Sequence, residues 1–207
     1  MAMSKIMVTS LWIVASLAGL AIAVVGGWVL YMRSIDQPPY ELVAKDGNIE
    51  VRDYGRMTVA EVTRRGDRDS AVRAGFSPLA RYIFAKDRPG EKIAMTAPVT
   101  QQPAQDASGD TVWKVHFIMP EGMDPDTLPK PADAEVRLLT IDPTRRAAIR
   151  FSGRADDALM QANETRLQAW LDENGYTTTG PAIYAYYDDP FTPGMFRRNE
   201  VLFEVKR

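Results

Sequence analysis

From Ile6 to Met32 the chain carries no charged residue, a run of 27 positions bounded by Lys5 and Arg33. Apolar sequence of that length must satisfy its own backbone hydrogen bonds wherever water is absent, and a helix does so within one segment. As a helix the run measures about 40 Å, against about 30 Å of bilayer hydrocarbon. Trp28 and Tyr31 fall where an interfacial aromatic belt would lie. The alternative is a cleaved signal peptide, and Ala21-Ile22-Ala23 resembles a cleavage site. A signal h-region spans about 7–15 residues, however, and the apolar run continues past Ala23. The expectation is therefore an uncleaved single-pass anchor over residues 1–33, touching lipid through residues 6–32. Lys5 and the α-amine on one side, and Arg33 soon followed by Asp36 and Glu41 on the other, favour a cytoplasmic N-terminus and an exported domain.

Ser34 to Pro39 follow as a short linker stiffened by Pro38-Pro39, which cannot lie in a helix interior. Residues 40–207 then form one domain, long enough to bury a substantial core. Cysteine is absent and histidine occurs once. Disulfides, thiol nucleophiles, Fe–S clusters and multi-histidine metal centres are excluded, and any hydroxyl–imidazole–carboxylate triad would have to use His116. A net charge of −2 leaves no electrostatic footprint for nucleic acid.

Alternating and helical patterns divide the domain. Ile49–Arg52 alternates after an Asp46-Gly47 turn, which predicts a hairpin with Glu41–Lys45. Met57–Thr63 reads as a strand. Val72, Phe76, Leu79 and Ile83 recur at helical spacing, with Pro78 predicting either a kink or a restart capped by Ser77. Strands are expected at Lys92–Gln101 and Thr111–Met119. The second half repeats the order: strands at Glu135–Ile141 and Arg145–Phe151, a helix opening on Asp156-Asp157 and capped by Gly175, then strands at Ala182–Tyr187 and Glu200–Val205. An offset of about 88 residues superposes the halves, each β-β-α-β-β. The pattern predicts an α+β fold, an antiparallel sheet carrying two helices with pseudo-two-fold symmetry.

Four segments in register bring a known family into view. Lys92–Val99 (KIAMTAPV), Asp189–Val201 (DPFTPGMFRRNEV), the opening Tyr40–Val43 with Ile49–Tyr54, and Phe117–Pro120 together resemble the SOUL haem-binding family across about residues 40–207. The resemblance implies a distorted antiparallel β-barrel with two helices, and a haem or related tetrapyrrole held without covalent attachment in an apolar groove. It leaves open whether iron is ligated, since some members are thought to use a histidine and others no conserved ligand. Pro78 departs from the helix expected of the family.

A tetrapyrrole needs a flat apolar slot and cations for its propionates. Met95, Phe117, Tyr184, Tyr186, Phe191 and Phe196 are the candidate slot residues, with Met119 and Met195 beside them, and each would serve equally well as ordinary core. Arg197 and Arg198 can receive carboxylates or can pair with Asp188, Asp189 or Glu200. His116 is the one candidate axial ligand. Alternation puts it with Val112, Lys114 and Ile118, a face that reads as solvated and as an unfavourable place for iron. The acidic pairs are explained as caps and turns, so no catalytic constellation is read. Three functions follow: a membrane-tethered tetrapyrrole carrier, buffer or sensor; a binder of other flat hydrophobic molecules; or a protein-interaction domain with a vestigial pocket.

Overall fold

A computed structural model describes residues 2–207, except the side chains of residues 2–9, 11, 14, 18, 21 and 22. The chain divides into two compact units, one ending at Ile35 and the other spanning Asp36–Arg207. The first is the helix α1, Ala2–Arg33. Helical backbone agrees with the reading of the uncharged run; the anchor itself is not found. Among the described residues no helix is long and apolar enough to cross a membrane, and the apolar side chains of Ile6, Met7, Val8, Leu11, Val14 and Ile22 lie outside them.

The second unit contains ten strands and two helices in the order β1 (Tyr40–Asp46), β2 (Ile49–Tyr54), β3 (Met57–Arg64), α2 (Arg68–Ile83), β4 (Val99–Gln105), β5 (Thr111–Ile118), β6 (Arg137–Ile141), β7 (Thr144–Phe151), α3 (Asp157–Glu173), β8 (Thr177–Thr178), β9 (Ile183–Tyr186) and β10 (Asn199–Lys206). All strand pairs are antiparallel, and the sheet runs β1-β2-β7-β10-β9-β4-β5-β3-β6, with β8 on β10. It is open, which corrects the expectation of a barrel. Closure would need β1 and β6 to pair; β1 is exposed along nearly its whole length and breaks register between Leu42 and Ala44, the kind of irregularity that turns an edge away from further pairing.

The two halves meet at β4 and β9, where Thr100 faces Ala185. Their outer strands are exchanged. β2 pairs with β7, Ile49 opposite Ile149, and β6 pairs with β3, Arg137 opposite Glu61. These ladders are images of each other under the 88-residue offset read from the sequence.

Each helix covers its own half of one sheet face. Leu79 and Ile83 of α2 pack in one core with Val62, Val115 and Phe117; Met160 and Leu167 of α3 pack in another with Val51, Ile149 and Val201. Gly75 sets the distance of α2 from β5: a Cβ there would stand 2.8 Å from Val115 Cβ. Asp67 caps α2 by accepting from the Ser70 N–H, and Asp156 caps α3 by accepting from the Leu159 N–H. Gly175, at φ 74°, ends α3 as read. α2 neither breaks nor restarts at Pro78. The Ala74 carbonyl, which Pro78 leaves without a helical donor, accepts instead from Arg64 Nε at 3.3 Å. The strand expected over Lys92–Gln101 begins only at Val99. Before it, the Ile93 and Ala97 N–H groups donate to the Ile83 and Asp36 carbonyls and are unavailable to a ladder.

Candidate functional site

The eight residues read as a tetrapyrrole site fall in three places. Phe117 is buried under α2, edge-to-face with Phe76 at 5.2 Å, and Met95 packs against the same core. Tyr184 and Tyr186 are half-buried on β9 against the core under α3. Tyr184 donates to Glu164 Oε2 at 2.6 Å. Tyr186 accepts from Arg68 Nη1 at 2.6 Å and donates to Gln101 Oε1 at 3.0 Å; burial pushes its hydroxyl up to about 12. These four side chains build the domain.

Phe191, Phe196, Arg197 and Arg198 belong to the loop between β9 and β10. Phe191 is 89% exposed and Met195 76%, with Phe196 partly exposed on the 3-10 turn Gly194–Phe196. The backbone beneath them is well tied. Asp189 Oδ1 accepts from the Phe191 and Thr192 N–H groups, and Asp188 Oδ2 accepts from the Arg198 N–H at 2.6 Å. The Gly153 N–H donates to the Gly194 carbonyl at 2.9 Å. Arg197 donates through Nε to the Thr192 carbonyl at 2.7 Å and through Nη2 to the Pro190 carbonyl. Arg198 Nε faces Asp188 at 3.4 Å, with its guanidinium over the Tyr187 ring. Arg198 takes the acidic pairing read for it, with Asp188, whereas the Arg197 bonds go to two backbone carbonyls and to none of the three acids read as its partners. The loop thus carries three exposed apolar side chains on a well-tied backbone.

His116 occupies the sheet face opposite the helices, as its alternation predicted, but it is 6% exposed. The reading of that face as solvated is corrected: Val112, Ile118, Ile183 and Leu202 on it are buried as well. Nε2 lies 2.8 Å from Glu61 Oε2 and Nδ1 3.3 Å from Thr100 Oγ1, so both ring nitrogens are engaged. Glu61 also accepts from Arg137 at 2.9 Å, with Lys114 3.8 Å away. Burial alone would raise the Glu61 carboxyl; the His116 hydrogen bond, with Arg137 and Lys114, outweighs it and holds the group at about 2. A hydroxyl–imidazole–carboxylate line can activate a nucleophile. Here its evident work is to satisfy polar groups inside the sheet. Among the described residues no group of three or more His, Asp or Glu could hold a metal ion.

A second buried charge cluster lies on the same face in the other half, and sequence reasoning missed it. Arg52 and Glu200, 1% and 0% exposed, form a two-pronged pair at 2.9 and 2.8 Å. Arg150 and Tyr187 donate to Glu200 at 2.9 and 2.6 Å. Burial would raise the Glu200 carboxyl, but these donors hold it below its ordinary range; burial and the adjacent Glu200 push the Tyr187 hydroxyl well up. Beside the cluster runs a narrow cleft whose walls include Tyr54, Met57, Thr100, Ile118, Arg146 and Ile183, with Gln37 and Pro38 at its side. The alternation of Glu50, Arg52 and Tyr54 against apolar neighbours carried a signal for this face. Its counterpart on Arg146 and Arg150 lies far away in the chain.

A duplicated antiparallel α+β sheet, helices on one face and a cleft on the other, is the class of protein these features define. Within that class the chain belongs to the SOUL heme-binding protein family, whose pattern matches residues 35–204. It is 31% identical over 172 residues to human heme-binding protein 2, covering 79% of this chain and 80% of that one. It is 28% identical over 167 residues to the mouse protein of that name, with the same coverage. In structure it resembles the C-terminal domain of EcmrR, with a TM-score of 0.58 at 15% identity over 81% of this chain and 98% of that one. It also resembles a hydrolase from Listeria innocua, with a TM-score of 0.53 at 14% identity over 79% and 94%. These two likenesses concern the fold alone.

Proposed function

We propose that the domain binds haem or a related tetrapyrrole on the apolar tip Phe191–Met195–Phe196, as a carrier, buffer or sensor and not as an enzyme. The observation that carries this reading is the exposure of those side chains on a loop held rigid beneath them, within a family named for haem binding. A macrocycle laid on the tip gains mainly from apolar burial, at about 25 cal/mol per Å². The cleft on the opposite sheet face is too narrow to admit a macrocycle, and His116 would have to give up Glu61 or Thr100 to reach iron. When bound, haem would supply its own redox chemistry; the loop would supply surface and orientation. In this reading residues 6–32 tether the domain to lipid, with the N-terminus cytoplasmic and the domain exported. The uncharged run supports the tether.

Hemin titration followed through the Soret band tests the binding. Phe191→Ala/Phe196→Ala should weaken it at least tenfold, and iron-free protoporphyrin should bind nearly as well as hemin. Unchanged affinity in the double variant rejects the tip as the site. Retention of the full chain in the membrane fraction after carbonate washing tests the tether, and release into the supernatant rejects it.

A further inference from the structure

The cleft on the open sheet face holds a feature that the haem reading does not use. Arg146 on β7 is 7% exposed, yet its Nε–H is buried with no hydrogen-bond partner. Its Nη2 donates to Glu204 Oε1 at 3.0 Å, at the solvent edge, and its guanidinium lies over the Tyr54 ring at 5.6 Å. Folded proteins seldom leave a buried donor of a charged group unpaired, and each such group calls for an explanation.

The surroundings supply one. Arg146 is the only charged residue lining the cleft, because Glu200 is consumed by Arg52, Arg150 and Tyr187. Met57, Ile118, Ile183 and Leu202 give the cleft apolar lining, beside the rings of Tyr40, Tyr54 and Tyr187. A guanidinium with its Nε–H buried and unpaired, beside a narrow and largely apolar cleft, matches a carboxylate on a slender alkyl chain. The carboxylate accepts from Nε beside the existing Glu204 bond, and the chain lies along the cleft. A cation would meet Arg146 with no carboxylate in the lining to offset it.

We propose that this cleft is a binding site for a small unbranched aliphatic carboxylate, with Arg146 as its head-group partner. Gln37 and Pro38 form one wall. They belong to the strap Asp36–Pro39, which is tied to the domain where the Asp36 carbonyl accepts from the Ala97 N–H at 2.8 Å. Ligand entry lifts this strap and breaks that bond.

The test is calorimetric titration of the full chain with octanoate, 1-octanol and octylammonium. Octanoate should bind at least tenfold more tightly than octanol, and octylammonium should not bind. Arg146→Gln should abolish the preference for the carboxylate while leaving hemin affinity unchanged. The unmodified protein gives an independent readout that needs no variant to fold. The ¹⁵N-labelled Arg146 Nε–H resonance should move on saturation with octanoate, and Ala97 should lose amide-exchange protection. Equal affinity for octanoate and octanol, no octanoate binding, or an unmoved Nε–H resonance each overturns the proposal. Failure to bind hemin leaves it untouched.

Discussion

Replacing Glu61 with Gln separates electrostatics from packing at the one histidine of the chain. Glu61 is 3% exposed and its carboxyl sits at about 2, against an ordinary 4.5. At about 1.4 kcal/mol per pH unit, that difference corresponds to about 3 kcal/mol of preference for the ionised form in the folded state. Arg137 is 61% exposed and Lys114 36%, so water screens part of their attraction, and about 2 kcal/mol is the better figure. The sign follows from the direction of the shift. A carboxylate with a depressed folded value contributes its stability above pH 4.5 and loses it as pH falls through about 2. Glu61→Gln should therefore cost about 2 kcal/mol at pH 7, with the deficit narrowing below pH 4.5 and vanishing near pH 2. Urea unfolding of both proteins at pH 7, 4 and 3, followed by far-UV circular dichroism, measures it. Glu50 and Glu200, whose carboxyls are also held low, are common to both proteins and cancel in the difference. A deficit as large at pH 3 as at pH 7 would mean that the amide disturbs packing and that the charge argument is wrong.

Gly75→Ala sets the steric cost of a Cβ 2.8 Å from Val115 against the gain in helix propensity. A net loss of about 1–2 kcal/mol is expected in thermal unfolding, with part recovered in Gly75→Ala/Val115→Ala. Arg52→Met leaves Glu200 buried and should cost about 3–5 kcal/mol in chemical denaturation, whereas Arg52→Met/Glu200→Met should cost less than the two single changes added together. His116→Ala should change hemin affinity less than tenfold, about 1.4 kcal/mol; a hundredfold loss with a changed ligation spectrum would make the imidazole an iron ligand.

Much of this architecture was legible in the sequence because its periods are local. The stripe Val72, Phe76, Leu79 and Ile83 marked α2, although Phe76 stays 43% exposed at its edge; the acidic pair at Asp156 marked the start of α3, and the 88-residue offset located the equivalent strands. Pairing was not legible. Nothing near Ile49 says that its neighbour is Ile149, since the outer strands of each half join the other. Parity along β5 correctly put His116 opposite Phe117, yet parity names a face and not its burial. The partners that bury His116, Glu61 and Thr100, come from β3 and β4. Among the site residues, Phe191 and Phe196 were identifiable as a motif, and only the folded chain shows them exposed while Phe117 is buried and Tyr186 half-buried. Arg146 gave no local sign, because an unpaired donor exists only once its surroundings are assembled.

The exchange of β2 and β6 has a consequence for how this molecule can come apart. A duplicated protein whose halves each completed their own sheet could lose one half and keep the other, and could fold them one after the other. Here each half holds the other's outer strand, so a cut between β5 and β6 yields two fragments that each lack a ladder they need. Opening one half strips a strand from its twin, which leaves no partly unfolded form with an intact half. Folding has to bring Ile49 to Ile149 before either core is sealed, the kind of long-range closure that slows folding and makes unfolding all-or-none. The two equivalent halves make one indivisible cooperative unit.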